Sequence, residues 1–308
     1  MAAPAPTRPI AWLVTGAHGQ LGQELTGLLA GRSADVVSAL GRDRLDLTDL
    51  DQVRSVVRAW LAGVGPRRPV LVNTAGYTAV DAAETDEATA TLVNGAAPGW
   101  LAEEIAGHRA DPGGGPARLI HVSTDYVFDG HATTPYPVDA PIAPRSAYGR
   151  SKAAGERAVA RATADGGEAT VVRTAWVYGR HGANFVKTMA ARASAGSPSA
   201  VVDDQLGSPT WTAGLAAGLI ALGERVAPAP PVLHYTDAGE VTWYGLARAV
   251  YAELGADPGL VTPTTTDAFP RPAPRPAYSV LDGSAWLAAG LPAPRTWRDA
   301  LALAIQTW

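Results

Sequence analysis

The chain has 308 residues, a net charge of −4 and a pI of about 5.9. Hydrophobic residues make up 47% and charged residues 18%, which is typical of a soluble globular protein with a sizeable core. The sequence has no cysteine, which excludes disulfides and thiolate metal sites, and no basic run indicates a nucleic-acid partner.

The chain begins with MAAPAPTRP, a segment rich in proline and alanine that we expect to be frayed. It lacks the apolar stretch of a signal peptide. No other segment approaches the roughly 20 apolar residues of a membrane span. Together with the lack of cysteine, these features predict a cytoplasmic protein that does not bind membranes.

Short apolar runs alternate with helix-like stretches through the first half of the chain. Strands are predicted at 10–16, 34–40, 69–76, at the start of 117–128, and at 168–179. Helices are predicted at 20–30, 50–62 with Thr48 or Asp49 as cap, 90–107 and 146–162. Continuous apolar strands alternating with helices indicate a parallel sheet covered on both faces. The fold class expected is therefore α/β, a Rossmann-type doubly wound parallel sheet, with ligands at the carboxyl ends of its strands.

The alternation ends at about residue 176. Turn-rich segments such as DDQLGSPTWT then mix with two helical stretches, 212–223 and 242–254, and with a Pro/Ala loop at 227–231. We expect a Rossmann domain in residues 1–175 and a smaller mixed α/β lobe in residues 176–308. Some segments of the second part can return to the Rossmann sheet.

A glycine-rich loop follows the first predicted strand. TGAHGQLG places Gly16, Gly19 and Gly22 where the chain turns into a helix. Glycines there let the backbone approach a pyrophosphate, and the helix N-terminus offers free N–H groups. A glycine triplet alone is a weak signal, since plain turns also contain it, but its place after the first strand favours a dinucleotide site.

The end of the second strand carries no evident acidic residue to select NAD. Arg42 can face a 2′-phosphate, which would favour NADP, or it can be an ordinary solvated arginine; both interpretations stay open. Asp46 and Leu47 are placed to flank the adenine.

A tyrosine and a lysine stand four residues apart on the fourth predicted helix, so that Tyr148 and Lys152 share one face. Such a pair can be an ordinary exposed pair, or a proton donor and the cation that lowers its pKa. Ser123 and Thr124, at the end of the preceding strand, add hydroxyls that can hold a carbonyl oxygen. With the glycine loop upstream, this set favours hydride transfer to a ketone, with Tyr148 as the acid.

The chain resembles the extended short-chain dehydrogenase/reductases and, more narrowly, the dTDP-4-dehydrorhamnose reductase family. The matching stretches run in family order over nearly the whole chain, and two of them, STDYVFDG and DQLGSPT, are far more specific than the glycine loop. The others are VTGAHGQLGQEL, VNTAGYTAVDAAE, APRSAYGRSKAAGE, RTAWVYG, NFVKTM and RPAYSVLD. Within the predicted helix 90–107, Gly95, Pro98 and Gly99 are unusual.

The resemblance implies a role for each matching residue. Thr124 would hold the C4 carbonyl, Tyr148 would donate the proton, and Lys152 would support Tyr148 and bind the ribose. Cofactor contacts would come from Gly16, Gly19, Gln20, Leu21, Gly22, Arg42, Asp46, Leu47, Ala75, Gly76, Tyr77, Asn94 and Ser123, besides Tyr148 and Lys152. The sugar-nucleotide pocket would be formed by Asp125, Tyr126, Trp176, Asn184, Phe185, Lys187 and Gln205, with Arg275 at the substrate diphosphate. Several of these have structural alternatives: Trp176 can be core, and Lys187 and Arg275 can be exposed surface residues.

The implied activity is NADPH-dependent reduction of the C4 keto group of a dTDP-4-keto-6-deoxyhexose, with NADH possible. The expected substrate is dTDP-4-dehydro-L-rhamnose, and a sister reductase of antibiotic sugar biosynthesis is the alternative. A non-catalytic nucleotide-binding regulatory subunit is a more remote alternative, against which the combination of Thr124, Tyr148 and Lys152 argues. Some members of the family bind magnesium at a dimer interface; no residue of this sequence is assigned as a metal ligand, and a homodimer is possible.

Overall fold

The computed structural model describes residues 9–110 and 115–308, so that the expectation for the first nine residues lies, apart from Pro9, outside the described residues. Strands and helices alternate in the first half, as predicted. The strands are β1 (Ile10–Thr15), β2 (Val36–Leu40), β3 (Arg68–Asn73), β4 (Arg118–Thr124) and β5 (Ala169–Thr174). The helices are α1 (Gln20–Ala30), α2 (Leu50–Gly63), α3 (Glu87–Thr91), α4 (Ala97–Ala110) and α5 (Ala147–Ala162). Of the two candidate caps of α2, Asp49 is the one that accepts from the Gln52 N–H.

Most of the strands in the first half are shorter than the apolar runs that predicted them, and the ends of β4 and β5 show why. β4 stops at Thr124, whose side chain accepts from the Tyr126 N–H and starts a 3₁₀ turn, Asp125–Val127. β5 stops at Thr174, because Trp176 takes a φ of +48° that an extended strand does not tolerate. Both breaks lie at the carboxyl edge of the sheet.

The second half contains more elements than the sequence predicted. Its helices are α6 (Phe185–Ser194), α7 (Thr212–Glu224), α8 (Trp243–Glu253), α9 (Ser284–Ala288) and α10 (Trp297–Gln306). Its strands are β6 (Val177–Tyr178), β7 (Ser199–Val202), β8 (Leu206–Gly207), β9 (Thr210–Trp211), β10 (Val232–His234), β11 (Val241–Thr242) and β12 (Val261–Thr264). α7 and α8 confirm the two predicted helices; α6, α9 and α10 had no prediction.

The central sheet is parallel and has six strands in the order β10-β5-β4-β3-β1-β2. The chain starts at β1 and proceeds outward in both directions, so that the order reverses between β1 and β3. Loops diverge at such a switch point and leave a crevice at the carboxyl ends of the strands. This architecture confirms the predicted α/β, doubly wound fold.

Successive side chains of β1 pack on opposite faces of the sheet. Trp12 and Val14 belong to the core formed with α1 and α7, whereas Leu13 belongs to the core formed with α2 and α4. All three are fully buried. The apolar run therefore predicted a strand covered on both sides, which is what a three-layer fold requires.

Three segments of the second half join the Rossmann layers. β10 pairs in parallel with β5 at the sheet edge, α7 packs beside α1 on the same sheet face, and Trp286 of α9 belongs to the same core. α7 lies so close to Trp12 that a Cβ on Gly223 would come within 2.3 Å of the indole. The smaller lobe comprises most of the remainder, with α6, α8 and α10 around its own apolar core.

The predicted helix 90–107 is not α-helical throughout. A π-helical turn, Leu92–Ala96, joins α3 to α4 without a break, and Pro98, which has no N–H to donate to the preceding turn, lies just after it. The glycines permit close packing: a Cβ on Gly99 would lie 2.8 Å from the Ala158 methyl, and one on Gly155 would lie 2.1 Å from the Asn94 carbonyl oxygen. The unusual residues of this helix therefore allow α4 and α5 to approach each other.

Candidate active site

A cleft of about 880 Å³ opens along the carboxyl edge of the sheet. One end is the glycine loop after β1, and the other is formed by the ends of β4 and β5 with the first turns of α5. The cleft therefore lies at the switch point of the sheet, where the fold predicts a ligand.

The glycine loop requires glycine at two positions, because neighbouring backbone atoms lie too close for a Cβ atom there. Gly16 has a φ of +72°, and a Cβ on it would lie 2.5 Å from the Ala75 nitrogen; one on Gly22 would lie 2.2 Å from the Gly16 carbonyl oxygen. Gly19 caps α1 without any side-chain hydrogen bond, and the first turn of α1 has no acidic residue. The first N–H groups of α1 thus remain available for an anion, and the geometry fits a dinucleotide pyrophosphate. Gln20 and Leu21 line the cleft beside them.

Arg42, Asp46 and Leu47 line the same end of the cleft, after β2. Arg42 is exposed there, and hydrogen bonds from Thr48, with a smaller contribution from Arg42, lower the pKa of Asp46. His18 also lines this end, with its Nδ1 3.6 Å from the Asp43 carboxylate. Sequence reasoning missed His18, although its place between Gly16 and Gly19 was a signal.

The predicted acid, its lysine and the strand hydroxyl come together at the opposite end. Ser146 caps α5 by accepting from the Gly149 N–H at 3.0 Å, which fixes the helix start beside the end of β4. Thr124, Tyr148 and Lys152 all line the cleft there. The Tyr148 ring meets Tyr126 edge to face, with centroids 5.5 Å apart.

The pKa of Tyr148 is raised to about 12, mainly by burial; Thr124 lowers it and the Asp125 carboxylate raises it. The expectation that Lys152 lowers this pKa is wrong for this structure. The Lys152 ammonium instead donates to the Val122 carbonyl at 2.6 Å. The phenol is therefore a neutral acid at physiological pH.

Lys152 is buried, and burial lowers its pKa to about 8, while the Glu156 carboxylate opposes that shift. The ammonium is therefore mostly charged at neutral pH and loses its proton above about pH 8. This charge lies at the cleft wall, where it can meet a polar group of a ligand.

Ser123 borders the cleft, but its hydroxyl is not directed to a ligand. It donates to Glu156 Oε1 at 2.6 Å, in a buried contact. Ser123 therefore lies at the cleft with its hydroxyl already bonded to Glu156, and its contact with a cofactor stays a prediction.

Ala75 and Gly76 line the cleft after β3, whereas Tyr77 and Asn94 are not among its lining residues within the described chain. Asn94 accepts from the Tyr77 N–H at 2.8 Å and donates to the Tyr77 carbonyl at 3.0 Å and to Ser151 Oγ at 3.0 Å. It thus connects the loop after β3 to α5. Its predicted contact with a cofactor stays a prediction.

Three of the predicted substrate residues line the cleft: Asp125, Tyr126 and Trp176. Asp125 is buried, and its Oδ2 has no hydrogen-bond partner within the described residues; burial raises its pKa to about 6. Trp176 stacks on Trp243 with centroids 3.6 Å apart. Its positive φ is a strained conformation for a non-glycine residue, of the kind found at ligand sites.

Four other predicted substrate residues make internal contacts and do not line the cleft within the described chain. Asn184 caps α6, Lys187 donates to the Arg180 and Gly182 carbonyls at 3.0 Å each, and Gln205 donates to Thr266 at 2.9 Å. Phe185 packs edge to face on Trp243. These four residues support the lobe that carries Trp176.

Arg275 lies in a neighbouring pocket of about 200 Å³, which shares Tyr126 with the main cleft. Its guanidinium donates to Asp81 at 2.9 Å and to the Ala273 carbonyl at 3.1 Å. One terminal nitrogen of Arg275 is therefore held in an ion pair with Asp81. The arginine lies beside Tyr126, which also lines the main cleft.

Within residues 9–110 and 115–308, no cluster of three or more His, Cys, Asp or Glu side chains could hold a metal ion. None of the helices in these ranges is long and apolar enough to cross a membrane.

Comparisons with known proteins agree with this geometry. The family model for the RmlD substrate binding domain matches residues 10–308. A probable dTDP-4,6-dihydroxy-2-methyloxan-3-one 4-ketoreductase of Streptomyces antibioticus is 52% identical over 94% of this chain and 92% of its own. A dTDP-4-dehydrorhamnose reductase of Streptomyces griseus is 49% identical over 94% of this chain and 91% of its own.

A solved structure is also similar over nearly its whole length. It is a dTDP-4-dehydrorhamnose reductase of Bacillus anthracis in complex with NADP, with a TM-score of 0.86 and 29% identity; the match covers 97% of this chain and 100% of that one. Sequence, fold and site geometry agree, and the chain belongs to the RmlD substrate binding domain family.

Proposed function

We propose that the protein reduces the C4 keto group of a dTDP-4-keto-6-deoxyhexose with NADPH, converting dTDP-4-dehydro-L-rhamnose to dTDP-L-rhamnose. The observation that carries the proposal is the cleft itself. It has free helix N–H groups at one end, and a neutral phenol, a hydroxyl and a buried ammonium at the other. The cysteine-free composition accommodates a cytoplasmic location for this reaction.

The cleft residues divide into two sets for the cofactor. The α1 N-terminus and the backbone of Gly16 and Gly19 would hold its pyrophosphate, and Arg42 its 2′-phosphate. Lys152 would bind the nicotinamide ribose. When bound, NADPH supplies the hydride.

Tyr148 supplies the proton. Because its pKa is about 12, the phenol keeps its proton until a stronger base, the developing alkoxide at C4, lies beside it. Thr124 donates to Asp125 Oδ1 at 2.9 Å in this structure, and rotation of its hydroxyl would direct it to the C4 oxygen. Two donors would then meet the oxygen at which negative charge develops.

The sugar nucleotide would occupy the wall opposite the cofactor. Trp176, which has one face stacked on Trp243, and Asp125 both line the cleft there and would contact the sugar. Arg275 would reach the diphosphate by exchanging its Asp81 contact for a phosphate oxygen.

A second candidate uses the same chemistry on another substrate. The relative of Streptomyces antibioticus is named a probable 4-ketoreductase of a different dTDP-linked sugar, and it is 52% identical to this chain. The alternative is therefore a sister reductase of antibiotic sugar biosynthesis. The sister reductase would use another deoxysugar or give the opposite C4 configuration, and the configuration depends on which face of the ketone meets the nicotinamide.

The test is NADPH oxidation, followed at 340 nm with a panel of dTDP-4-keto sugars, and identification of each product by NMR. The proposal expects dTDP-L-rhamnose from dTDP-4-dehydro-L-rhamnose. Faster turnover of another sugar, or the other C4 configuration, would favour the sister reductase. No oxidation with any sugar, together with tight binding to a protein partner, would favour a regulatory subunit.

A further inference from the structure

The catalytic face of α5 extends one turn beyond the lysine. Tyr148, Lys152 and Glu156 follow one another at intervals of four residues and therefore share one helix face. All three approach the last residues of β4. The Lys152 ammonium donates to the Val122 carbonyl, and Ser123 Oγ donates to Glu156 Oε1, each at 2.6 Å.

Glu156 is also paired with a cation from the neighbouring strand. Arg173 of β5 donates from Nε to Oε1 at 3.0 Å and from Nη2 to Oε2 at 2.7 Å. Arg173 Nη1 continues to the Val138 carbonyl at 3.0 Å and lies 3.2 Å from His234 Nε2. Ser123, Glu156 and Arg173 are all buried, so these bonds form without competition from water.

We propose that Glu156 is a positioning residue for the reduction: its carboxylate, held by Ser123 and Arg173, fixes α5 against β4 and keeps the buried Lys152 ammonium charged. The inference rests on the proposed function. In this role Glu156 contacts neither substrate nor cofactor.

The surroundings of Lys152 explain why this carboxylate matters. Burial disfavours the ammonium, and Glu156 is the charged group that favours it within the described residues. From β4, His121 faces the same region, but burial and the Lys152 charge hold the pKa of His121 well below its ordinary value, so that it is neutral. Arg173 lies on the far side of Glu156 and is not among the groups that shift the pKa of Lys152. An uncharged residue at 156 would therefore leave the ammonium with burial and no charged group that favours it among the described residues.

Glu156→Gln removes the negative charge with little change in side-chain shape, since the amide oxygen can still accept from Ser123. The double variant Glu156→Gln/Arg173→Gln also removes the unpaired guanidinium, which protects the fold if the single variant is unstable. Glu104→Gln is the matched control. Glu104 is another buried carboxylate with a two-bond arginine partner, Arg58, and it lies outside the cleft.

NADPH binding is measured by calorimetry from pH 6 to 10 without sugar. Wild type and Glu104→Gln are expected to lose affinity above about pH 8, where Lys152 loses its charge. For Glu156→Gln, alone or combined with Arg173→Gln, the midpoint of this loss is expected to move down by about one pH unit. An unchanged midpoint in whichever of these two variants folds would overturn the proposal and leave Glu156 a purely structural residue.

Ser123→Ala tests the positioning without removing any charge. We expect its kcat to fall about tenfold at pH 6.5, with the midpoint of NADPH binding unchanged. A wild-type kcat in this variant would overturn the positioning part. Failure of wild type to reduce any dTDP-4-keto sugar would instead refute the proposed function, while the binding measurement would still decide the role of Glu156.

Discussion

Tyr148 depends on its immediate neighbours for its chemistry. Its half-buried phenol lies next to Thr124 and Asp125, and the Lys152 ammonium is bonded to a strand carbonyl. A phenol with a pKa of about 12 stays protonated at neutral pH. In the proposed reaction, Tyr148 is therefore an acid that gives its proton only to a strong base formed beside it.

Replacement of that acid gives the first prediction. Tyr148→Phe is expected to lower kcat by at least about 100-fold, because the alkoxide loses its proton donor, while NADPH binding persists. Stopped-flow or steady-state oxidation at 340 nm measures the loss. Tyr244→Phe, on a partly exposed tyrosine of α8, is the control and should retain wild-type turnover. Normal turnover by Tyr148→Phe would mean that the proton comes from another group.

Cofactor preference is the second prediction. Arg42 lies exposed in the cleft after β2, so Arg42→Ala should reduce the ratio of kcat/KM for NADPH to that for NADH by about tenfold or more. The measurement is a pair of saturation curves for each enzyme. Arg44→Ala, two residues further on and exposed, is the control. If the ratio stays the same in Arg42→Ala, Arg42 is an ordinary surface arginine.

Some residues that line the cleft could be predicted because they belong to short local sequence patterns. Gly16 lies in a loop between a strand and a helix, and Tyr148 and Lys152 lie on one helix face. Lys187 and Gln205 were placed through family resemblance, and their contacts are to their own loop or to residues distant in sequence. No local pattern shows that a polar side chain will be used in that way.

At the scale of elements, most strands and helices of the first half could be predicted from periodicity, although several strands end before their apolar runs do and α3 had no prediction of its own. The segment 90–107 also differs, because a π-helical turn precedes α4. Pro98 follows this turn and has no N–H to donate to it, and Gly155 and Gly99 let α5 pack closely against the same segment through backbone and small side chains. A helix pattern reports which face is buried, but it does not report how close the neighbouring helix comes.

This packing gives the third prediction. Gly155→Ala would place a methyl 2.1 Å from the Asn94 carbonyl oxygen, which must move. We expect a loss of about 1–3 kcal/mol in the free energy of unfolding, measured by chemical denaturation. Gly107→Ala, in α4 with no atom within 4 Å of the new methyl, should instead be neutral or stabilising. Equal stability of the two variants would show that α5 moves away from Asn94 at no cost.

At the scale of the whole molecule, several buried titratable groups make stability depend on pH. Burial raises the pKa of Asp237 to about 7, although the Trp211 N–H donates to it at 2.8 Å. The native state then holds a proton that the unfolded state releases above about pH 4. The contribution of Asp237 to the free energy of unfolding therefore falls as the pH rises from about 4 to 7 and does not change further above pH 7.

His234 has the opposite effect. Its pKa is lowered to about 4, so that its contribution to the free energy of unfolding rises between about pH 4 and 6.5.

The fourth prediction follows from the sign of the Asp237 contribution. Asp237→Asn keeps an acceptor for the Trp211 N–H and has no charge to bury, so that it should raise Tm, and by more at pH 8 than at pH 5. Scanning calorimetry at the two pH values measures the difference. Asp257→Asn, on an exposed cap, should show no such pH-dependent gain. An equal gain at both pH values for Asp237→Asn would mean that this carboxylate is already ionised at pH 5.

The return of α7 and β10 to the Rossmann layers has a consequence for how the molecule can be divided. A polypeptide severed after residue 175 would leave Trp12 without its α7 cover and would expose the hydrogen-bonding edge of β5. Bare edges and uncovered indoles invite self-association. Neither fragment should stay monomeric alone, whereas the two expressed together should reassemble, as in a split-protein pair whose halves complete one sheet.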